Sequence, residues 1–357
     1  MSRELLQYAL LPGPISLESG DVLSSVTVAY ETYGAPNATR SNVVLVCHAL
    51  TGDAHTFGPD HAPGWWQGLI GPGKSLDTRE YYVVCSNFLG GCYGTTGPTS
   101  INPETGVRYG MSFPQITVRD MVRVQAGLLE LLGVTRLICV IGGSLGGMQA
   151  LEWAMMYPEL VARVIPIGCG LSHSAWAIGL NEAARRAIID DADWNGGEYT
   201  VQPARGLGLA RMIAMISYRS PRSFQDKFGR ALRPGVLPPL FEIESYLRHQ
   251  AEKLVNRFDA NTYLYITRAM DSHDVSRGRG PAYDAVRKNP VHCLAIGVRS
   301  DTLYPTNEQR EIASTFPHGE YAEIDSPHGH DAFLIEYDQL NTTVRSFLQR
   351  TSIQDSP

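Results

Sequence analysis

Ser144, Asp301 and His330 are the residue types of an acyl-transfer triad, and they occur in an order that suits one. A serine hydroxyl is a poor nucleophile at neutral pH. It needs a base that takes its proton as it attacks and an acid that orients the base. Ser144 sits in Gly142-Gly-Ser-Leu-Gly146, a G-x-S-x-G turn between an apolar run from Leu137 and a helical pattern reaching Trp153. That strand, turn and helix is the context in which a nucleophile elbow holds its serine above the carboxyl ends of a parallel sheet. The bare pattern also occurs in ordinary glycine turns, so the flanking elements carry the weight. Side chains at Gly142 and Gly146 would meet the neighbouring backbone, and the helix that follows aims unpaired N–H groups at the site.

Asp301 and His330 each follow a late apolar strand pattern, giving the chain order Ser, Asp, His associated with α/β-hydrolase triads. His328 stays open as a second candidate base, and Asp325 and Asp331 as second candidate acids. Asp331 adjoins His330 too closely along the chain to orient its ring from behind. The oxyanion of a tetrahedral intermediate needs donors, which the backbone N–H groups of Leu145, just after the nucleophile, and Leu50, in the first core loop, are placed to supply. No phosphate-binding glycine motif with its lysine is present, and the histidines lack metal-ligand spacing, so no metal is expected.

The elements that must position these groups read as an α/β fold. Asn42–Cys47, Tyr81–Ser86, Val161–Gly168 and Val291–Gly297 are almost wholly apolar, as strands covered on both faces should be. Tyr321–Ile324 reads as the last strand, with a final helix near 332–350. Thr117–Leu132 has helical periodicity, with Asp120 in its first turn and Gly133 after its end. Residues 14–34 read as two strands joined at Gly20-Asp21, forming an antiparallel edge. Gly90-Gly-Cys-Tyr-Gly-Thr-Thr-Gly-Pro leaves two readings open, cradling a ligand or crossing beneath one. Between Cys169 and Lys288 the strand pattern stops and helical segments take over. The expected organisation is a core of residues 1–168 and 289–357 with an inserted helical lid, 169–288.

Composition narrows the function further. The 357 residues are 43% hydrophobic and 18% charged, with no apolar run approaching the ~20 residues that span a bilayer. A net charge of −6 without a basic cluster argues against nucleic acid and anionic membranes as partners. The start, Met1-Ser-Arg-Glu-Leu-Leu-Gln, carries an acid and no apolar core, so export is not expected. Cys47, Cys85, Cys139 and Cys293 fall in or at the end of apolar runs, where reduced cysteine acts as a small hydrophobe, so a cytoplasmic location is expected.

Taken together, His48-Ala-Leu-Thr-Gly-Asp-Ala-His, the glycine loop from Gly90, Gly142-Gly-Ser-Leu-Gly-Gly-Met-Gln-Ala-Leu-Glu-Trp, Arg211-Met-Ile-Ala-Met-Ile-Ser-Tyr-Arg and Gly329-His-Asp-Ala-Phe-Leu resemble the homoserine O-acetyltransferase family over nearly the whole chain. The resemblance implies an α/β-hydrolase fold, a mostly parallel sheet with helices on both faces, and a helical lid carrying a homodimer interface. It implies ping-pong transfer in methionine biosynthesis, with no permanently bound cofactor: Ser144 takes acetyl from acetyl-CoA, and L-homoserine removes it. It makes Ser144, Asp301 and His330 the triad, Arg211 and Tyr218 the partners of the acceptor carboxylate, Asp331 the partner of its ammonium, and Thr51 part of the same pocket. From the residues alone, Arg211 also reads as a solvated helix arginine, Tyr218 as a packing residue and Asp331 as a helix cap. Leu145 stands where the family more often has methionine, but only its N–H is needed. Succinyl-transferring relatives in this family resemble one another in carrying arginine two residues after the catalytic aspartate. Here that position is Leu303, which points to acetyl, although ordinary packing is equally open to a leucine. The competing functions are a homoserine or serine O-succinyltransferase and an esterase or other acyl hydrolase using the same triad.

Overall fold

A computed structural model of the chain describes residues 5–351. The first part of the segment read for an export signal, and both outer ends of the expected core, lie outside the described residues. Eight strands form the main sheet, in the order β1 (Gln7–Leu10), β4 (Thr27–Tyr33), β6 (Tyr82–Ser86), β5 (Val43–Cys47), β7 (Leu137–Gly143), β8 (Arg163–Ile167), β9 (His292–Val298) and β10 (Gly319–Ile324). β4 runs antiparallel to both β1 and β6, and every other pairing is parallel. The sheet divides the core in two. Val43, Leu45 and Cys47 enter one apolar layer, while Val44 and Val46 enter the other. That two-sided burial is why β5 reads as a continuous apolar run rather than an alternating one.

The N-terminal edge differs from the sequence expectation. Ile15–Ser16 (β2) pairs with Val22–Leu23 (β3) in a separate two-stranded sheet, and the partner of β4 is β1. β1 is exposed along most of its length. A short edge strand without a buried face carries no period-two signal, so the alternation after Pro14 drew the pairing to the wrong strand. The final helix is also divided: a 3-10 segment, Gly329–Leu334, precedes the C-terminal helix Tyr337–Thr351.

Helix α1 (Val118–Leu131) begins with a capping box. The Thr117 hydroxyl accepts from the Asp120 N–H, and the Asp120 carboxylate accepts from the Thr117 N–H at 2.9 Å. Helix α2 (Leu145–Met156) opens directly from the Ser144 turn and buries ten of its twelve residues. Between β8 and β9 lie helices only: α3 (Ala175–Ile189), α4 (Ala204–Tyr218), α5 (Pro221–Phe228), α6 (Glu242–Val255), α7 (Ala260–Asp271) and the short α8 (Asp284–Arg287). Helix α9 (Thr306–Thr315) joins β9 to β10, and α10 is the C-terminal helix.

One charged group on α2 is fully enclosed. Glu152 accepts from Arg119 Nε of α1 at 3.2 Å and from Arg279 Nη2 at 2.6 Å. Arg119 also reaches Glu18 at 2.9 Å, and so does Arg277 at 2.8 Å. The network ties the N-terminal segment, α1, α2 and the end of the insert together. Removing one partner of a buried pair leaves the other charge uncompensated, at a cost of about 3–5 kcal/mol. Glu152→Gln should therefore lower the unfolding free energy by several kcal/mol in a urea titration. A loss below about 1 kcal/mol would show that solvent screens these charges as it does at a surface.

Candidate active site

The elbow is built by a close approach of backbones. Cys47 at the end of β5 lies in register with Gly142 of β7. A Cβ on Gly142 would stand 2.5 Å from the Cys47 carbonyl oxygen, and one on Gly146 only 2.1 Å from it. No side chain fits at either position. The chain between them turns through Ser144 at φ 57°, ψ −123°, a left-handed conformation that a non-glycine residue adopts at a cost on the order of 1–3 kcal/mol. The Ser144 N–H is tied to the Ile167 carbonyl of β8 at 2.8 Å.

Asp301 follows β9 and is buried. Its Oδ1 accepts from the N–H groups of Leu303 (2.8 Å) and Tyr304 (3.0 Å), which leaves Oδ2 to take His330 Nδ1 at 2.7 Å. His330 rides on the 3-10 turn after β10, 3% exposed, and its Nε2 has no protein partner. That nitrogen is the one free to serve Ser144, which lines the same pocket. Burial resists a charged imidazole at His330. The Asp301 carboxylate, by charge and by hydrogen bond, with Asp331 adding, overrides this and raises the pKa above 6.5. His328 and Asp325 stand apart: His328 Nδ1 faces the Ser223 hydroxyl at 3.5 Å, and Asp325 pairs with Arg299 at 3.2 Å.

Two cavities meet at Ser144. The larger, about 230 Å³, is lined by Leu50, Thr51, Trp65, Arg211, Tyr218, Arg257, His330 and Asp331 among others. All four expected acceptor residues are therefore brought to one pocket, together with the triad's serine and histidine. Arg211 and Tyr218 lie seven residues apart on α4, with the guanidinium carbon 5.8 Å from the ring centre. The Tyr218 ring stands 5.7 Å from that of His330. Leu50 is in the loop after β5, and Leu145 is the first residue of α2, where an N–H has no intrahelical acceptor. The smaller cavity, about 20 Å³, is walled by Leu303, Leu180, Ala214, Tyr304, His173 and others, with Ser144 at its mouth. Burial keeps His173 neutral, lowering its pKa to about 3 with help from His273 and Arg185, and its Nδ1 faces the Tyr304 hydroxyl at 3.2 Å.

Sequence reading missed several participants. Arg219 Nε pairs with Asp331 Oδ2 at 3.1 Å across more than a hundred residues of chain. Burial still leaves Asp331 with a raised pKa, against the opposing charges of Arg219, His330 and Arg211. Trp65, Arg257 and Tyr304 come from stretches with no motif to mark them. The glycine loop resolves as a support. Its Thr95 and Thr96 hydroxyls accept from the Ala29 and Thr27 N–H groups of β4, each at 2.9 Å, and none of its residues is among those lining the two cavities. Among the described residues there is no group of three or more potential metal ligands.

A family model for the alpha/beta hydrolase fold matches residues 42–337. A homoserine O-acetyltransferase of Moorella thermoacetica is 53% identical over 350 residues, covering 94% of this chain and 93% of its own. The crystal structure of homoserine O-acetyltransferase from Bacillus anthracis superposes with a TM-score of 0.90 at 31% identity, covering 96% of this chain and 98% of that one. An esterase, E22, superposes at 0.88 with 29% identity, covering 96% and 100%.

The electrostatics of His330 give a pH prediction. A base acts only when neutral, so serine acylation should fall as pH drops through a pKa lying above 6.5 and level off above it. Asp331→Asn removes a charge that raises this pKa and leaves the Arg219 cation uncompensated beside it. The acidic limb should move to lower pH. Stopped-flow acylation rates across the pH range would show the shift, and an unmoved limb would separate Asp331 from the histidine's titration.

Proposed function

The chain belongs to the homoserine O-acetyltransferase family, and on that premise we propose the residues that carry the reaction and its ping-pong course. Ser144 Oγ attacks the thioester carbonyl of acetyl-CoA while its proton passes to His330 Nε2. The oxyanion is met by the Leu50 and Leu145 N–H groups, each such donor being worth about 10²–10³ in rate. The C–S bond then breaks, the thiolate takes the proton back from His330, and coenzyme A departs. In the second half the homoserine hydroxyl gives its proton to His330 and attacks the acetyl carbonyl, and Ser144 Oγ leaves with that proton. Asp301 keeps the imidazole in one orientation through both halves.

The single observation behind this reading is the placement of Ser144 and His330 in one pocket with an unlike-charged pair, Arg211 and Asp331. An amino acid presents a carboxylate and an ammonium, and its hydroxyl must then reach the acylated serine. Arg211 and Tyr218 take the carboxylate, Asp331 the ammonium, and Thr51 borders them. The smaller cavity at Ser144 is walled by Leu303, Leu180 and Ala214 among others, an apolar setting that suits a methyl group better than a carboxylate. Leu303 on its wall offers no cation for a buried carboxylate. We place residues 169–288 as a lid on the core 1–168 and 289–357. The exposed Trp176, Leu209 and Ile216 of the lid helices favour a homodimer formed through them. Family membership carries the further reading of a role in cytoplasmic methionine synthesis without a resident cofactor; no helix among the described residues is long and apolar enough to cross a membrane.

Two experiments test the assignment. Incubation with acetyl-CoA alone should acetylate Ser144, as mass spectrometry would show. Arg211→Ala should leave that step nearly intact while weakening homoserine by about ten- to a hundredfold, the worth of a charge-assisted hydrogen bond of roughly 1.5–3 kcal/mol. Equal damage to both halves would make Arg211 structural, and rapid discharge of the acetyl-enzyme by water would favour the esterase reading. Separately, Leu303→Arg should depress acetyl transfer and raise succinyl transfer relative to it. Succinyl transfer by the wild type at the acetyl rate would refute the donor assignment.

A further inference from the structure

Arg257 follows α6 and has no place in the chemistry above, although its side chain lines the larger cavity. Its Nη1 donates to the Thr51 carbonyl oxygen at 2.7 Å and to the Tyr93 hydroxyl at 2.6 Å. Thr51 is the third residue of a turn closed by the Gly52 N–H on the Ala49 carbonyl at 2.9 Å, and Leu50 is the second. The peptide that Arg257 grips is therefore part of the same four-residue turn that presents the Leu50 N–H to the pocket. At the base of the loop Asn87 makes a second strap: its Oδ1 accepts from the Ala54 N–H at 2.7 Å, and its Nδ2 donates to the Tyr93 carbonyl at 2.6 Å. Asn87 thus fixes the two loops at their roots, and Arg257 joins their outer parts to the helical insert.

We propose that Arg257 is a positioning residue for the oxyanion hole: by bridging the Thr51 carbonyl and the Tyr93 hydroxyl from the end of α6, it holds the first core loop where the Leu50 N–H meets the developing oxyanion. The proposal rests on the reading of Leu50 as a donor. A hydrogen bond from a cation to a carbonyl is stronger than a neutral one, and donors in such a hole act through fixed direction, so a loosened turn loses rate without losing substrate. The same loop serves both half-reactions, and a fault there slows both. This is the opposite of what an acceptor-binding residue does.

The test measures each half-reaction in Arg257→Ala and Arg257→Lys, with two donors: acetyl-CoA, and S-acetyl-N-acetylcysteamine, the same thioester without phosphates. Arg257→Ala should lower the maximal rate of both halves about tenfold, the scale of a small misplacement of catalytic groups. The KM for homoserine should stay within about twofold, and kcat/KM with the phosphate-free thioester should fall in step with acetyl-CoA. Arg257 is exposed, so added methylguanidinium should restore part of the rate in Arg257→Ala. Arg257→Lys, which supplies a cation without the fork, should fall between the two. A loss confined to acetyl-CoA and expressed in its KM would make Arg257 a coenzyme phosphate contact and overturn the proposal. So would an unchanged rate, or a loss that tracks a fall in melting temperature and resists rescue. Incorporating the α-hydroxy acid counterpart of Leu50, which removes only that N–H, tests the underlying reading. A loss of about 10²-fold there with Arg257→Ala unaffected would end the positioning proposal alone, whereas no loss there would end the oxyanion assignment of Leu50 itself.

Discussion

The contact on which this site depends is the approach of Gly142 and Gly146 to the carbonyl at the end of β5, closer than any side chain allows. It fixes three things at once. It presses the start of α2 against β5, so the chain between must turn through Ser144 with a positive φ and lift that side chain off the sheet. It sets the first residue of α2, with its unbonded N–H, beside the nucleophile. It also brings the loop that leaves β5, residues 48–52, against the same turn, which is where the proposed second backbone donor, Leu50, lies. The strain at Ser144 is sustained because the surroundings over-determine it: α2 is nearly all buried, and its Glu152 is gripped by arginines from two other segments.

The rest of the site is contributed by parts that meet only after the insert folds onto the core. Gly329, next to His330, has φ 69°, and a Cβ there would stand 2.7 Å from the Ser220 nitrogen just beyond α4. The histidine loop and the end of α4 therefore pack as one surface. Arg211 and Tyr218 of α4, and Arg219 just after it, reach the triad from that surface, and Arg219 neutralises the acid beside the catalytic base. Arg219 acts against the burial that raises the Asp331 pKa, and the Asp331 charge in turn adds to that of Asp301 in raising the His330 pKa. The insert thus brings charged groups up to His330 and Asp331.

Much of this was legible in the sequence where local chemistry carries the signal. The buried strands announce themselves as apolar runs, α1 by its helical periodicity with Asp120 in the first turn and Gly133 after its end, and the elbow by glycines whose side chains would meet neighbouring backbone. Asp301 and His330 are legible as candidates because each follows a late strand, which in an open parallel sheet places it near the ligand crevice, and the structure brings the two side chains together at 2.7 Å. What escaped is what lacks a local pattern. β1 is a short exposed edge whose pairing depends on tertiary contact alone. The partnership of Arg219 with Asp331, and that of Arg257 with Thr51 and Tyr93, span long stretches of chain and leave no periodic trace. The glycine loop was ambiguous because glycine density marks close backbone approach in either role. Its hydrogen bonds to β4 show it bracing that strand.

The likeness to an esterase of nearly the same shape shows that the scaffold alone does not choose between transfer and hydrolysis. The choice is kinetic: an acyl-serine formed in an open pocket meets water, unless a bound acceptor both excludes water and presents its own hydroxyl. Fixed charges are well suited to that task here. Arg211 and Asp331 stand on opposite elements, one on the insert and one beside the catalytic histidine, so a zwitterion that satisfies both must span the space over Ser144. A neutral alcohol or water carries no charge for either, and Asp331 then keeps only its pairing with Arg219. On the proposed assignment, the energy of pairing them is released only when the acceptor lies across the acylated serine, so that binding is at the same time orientation.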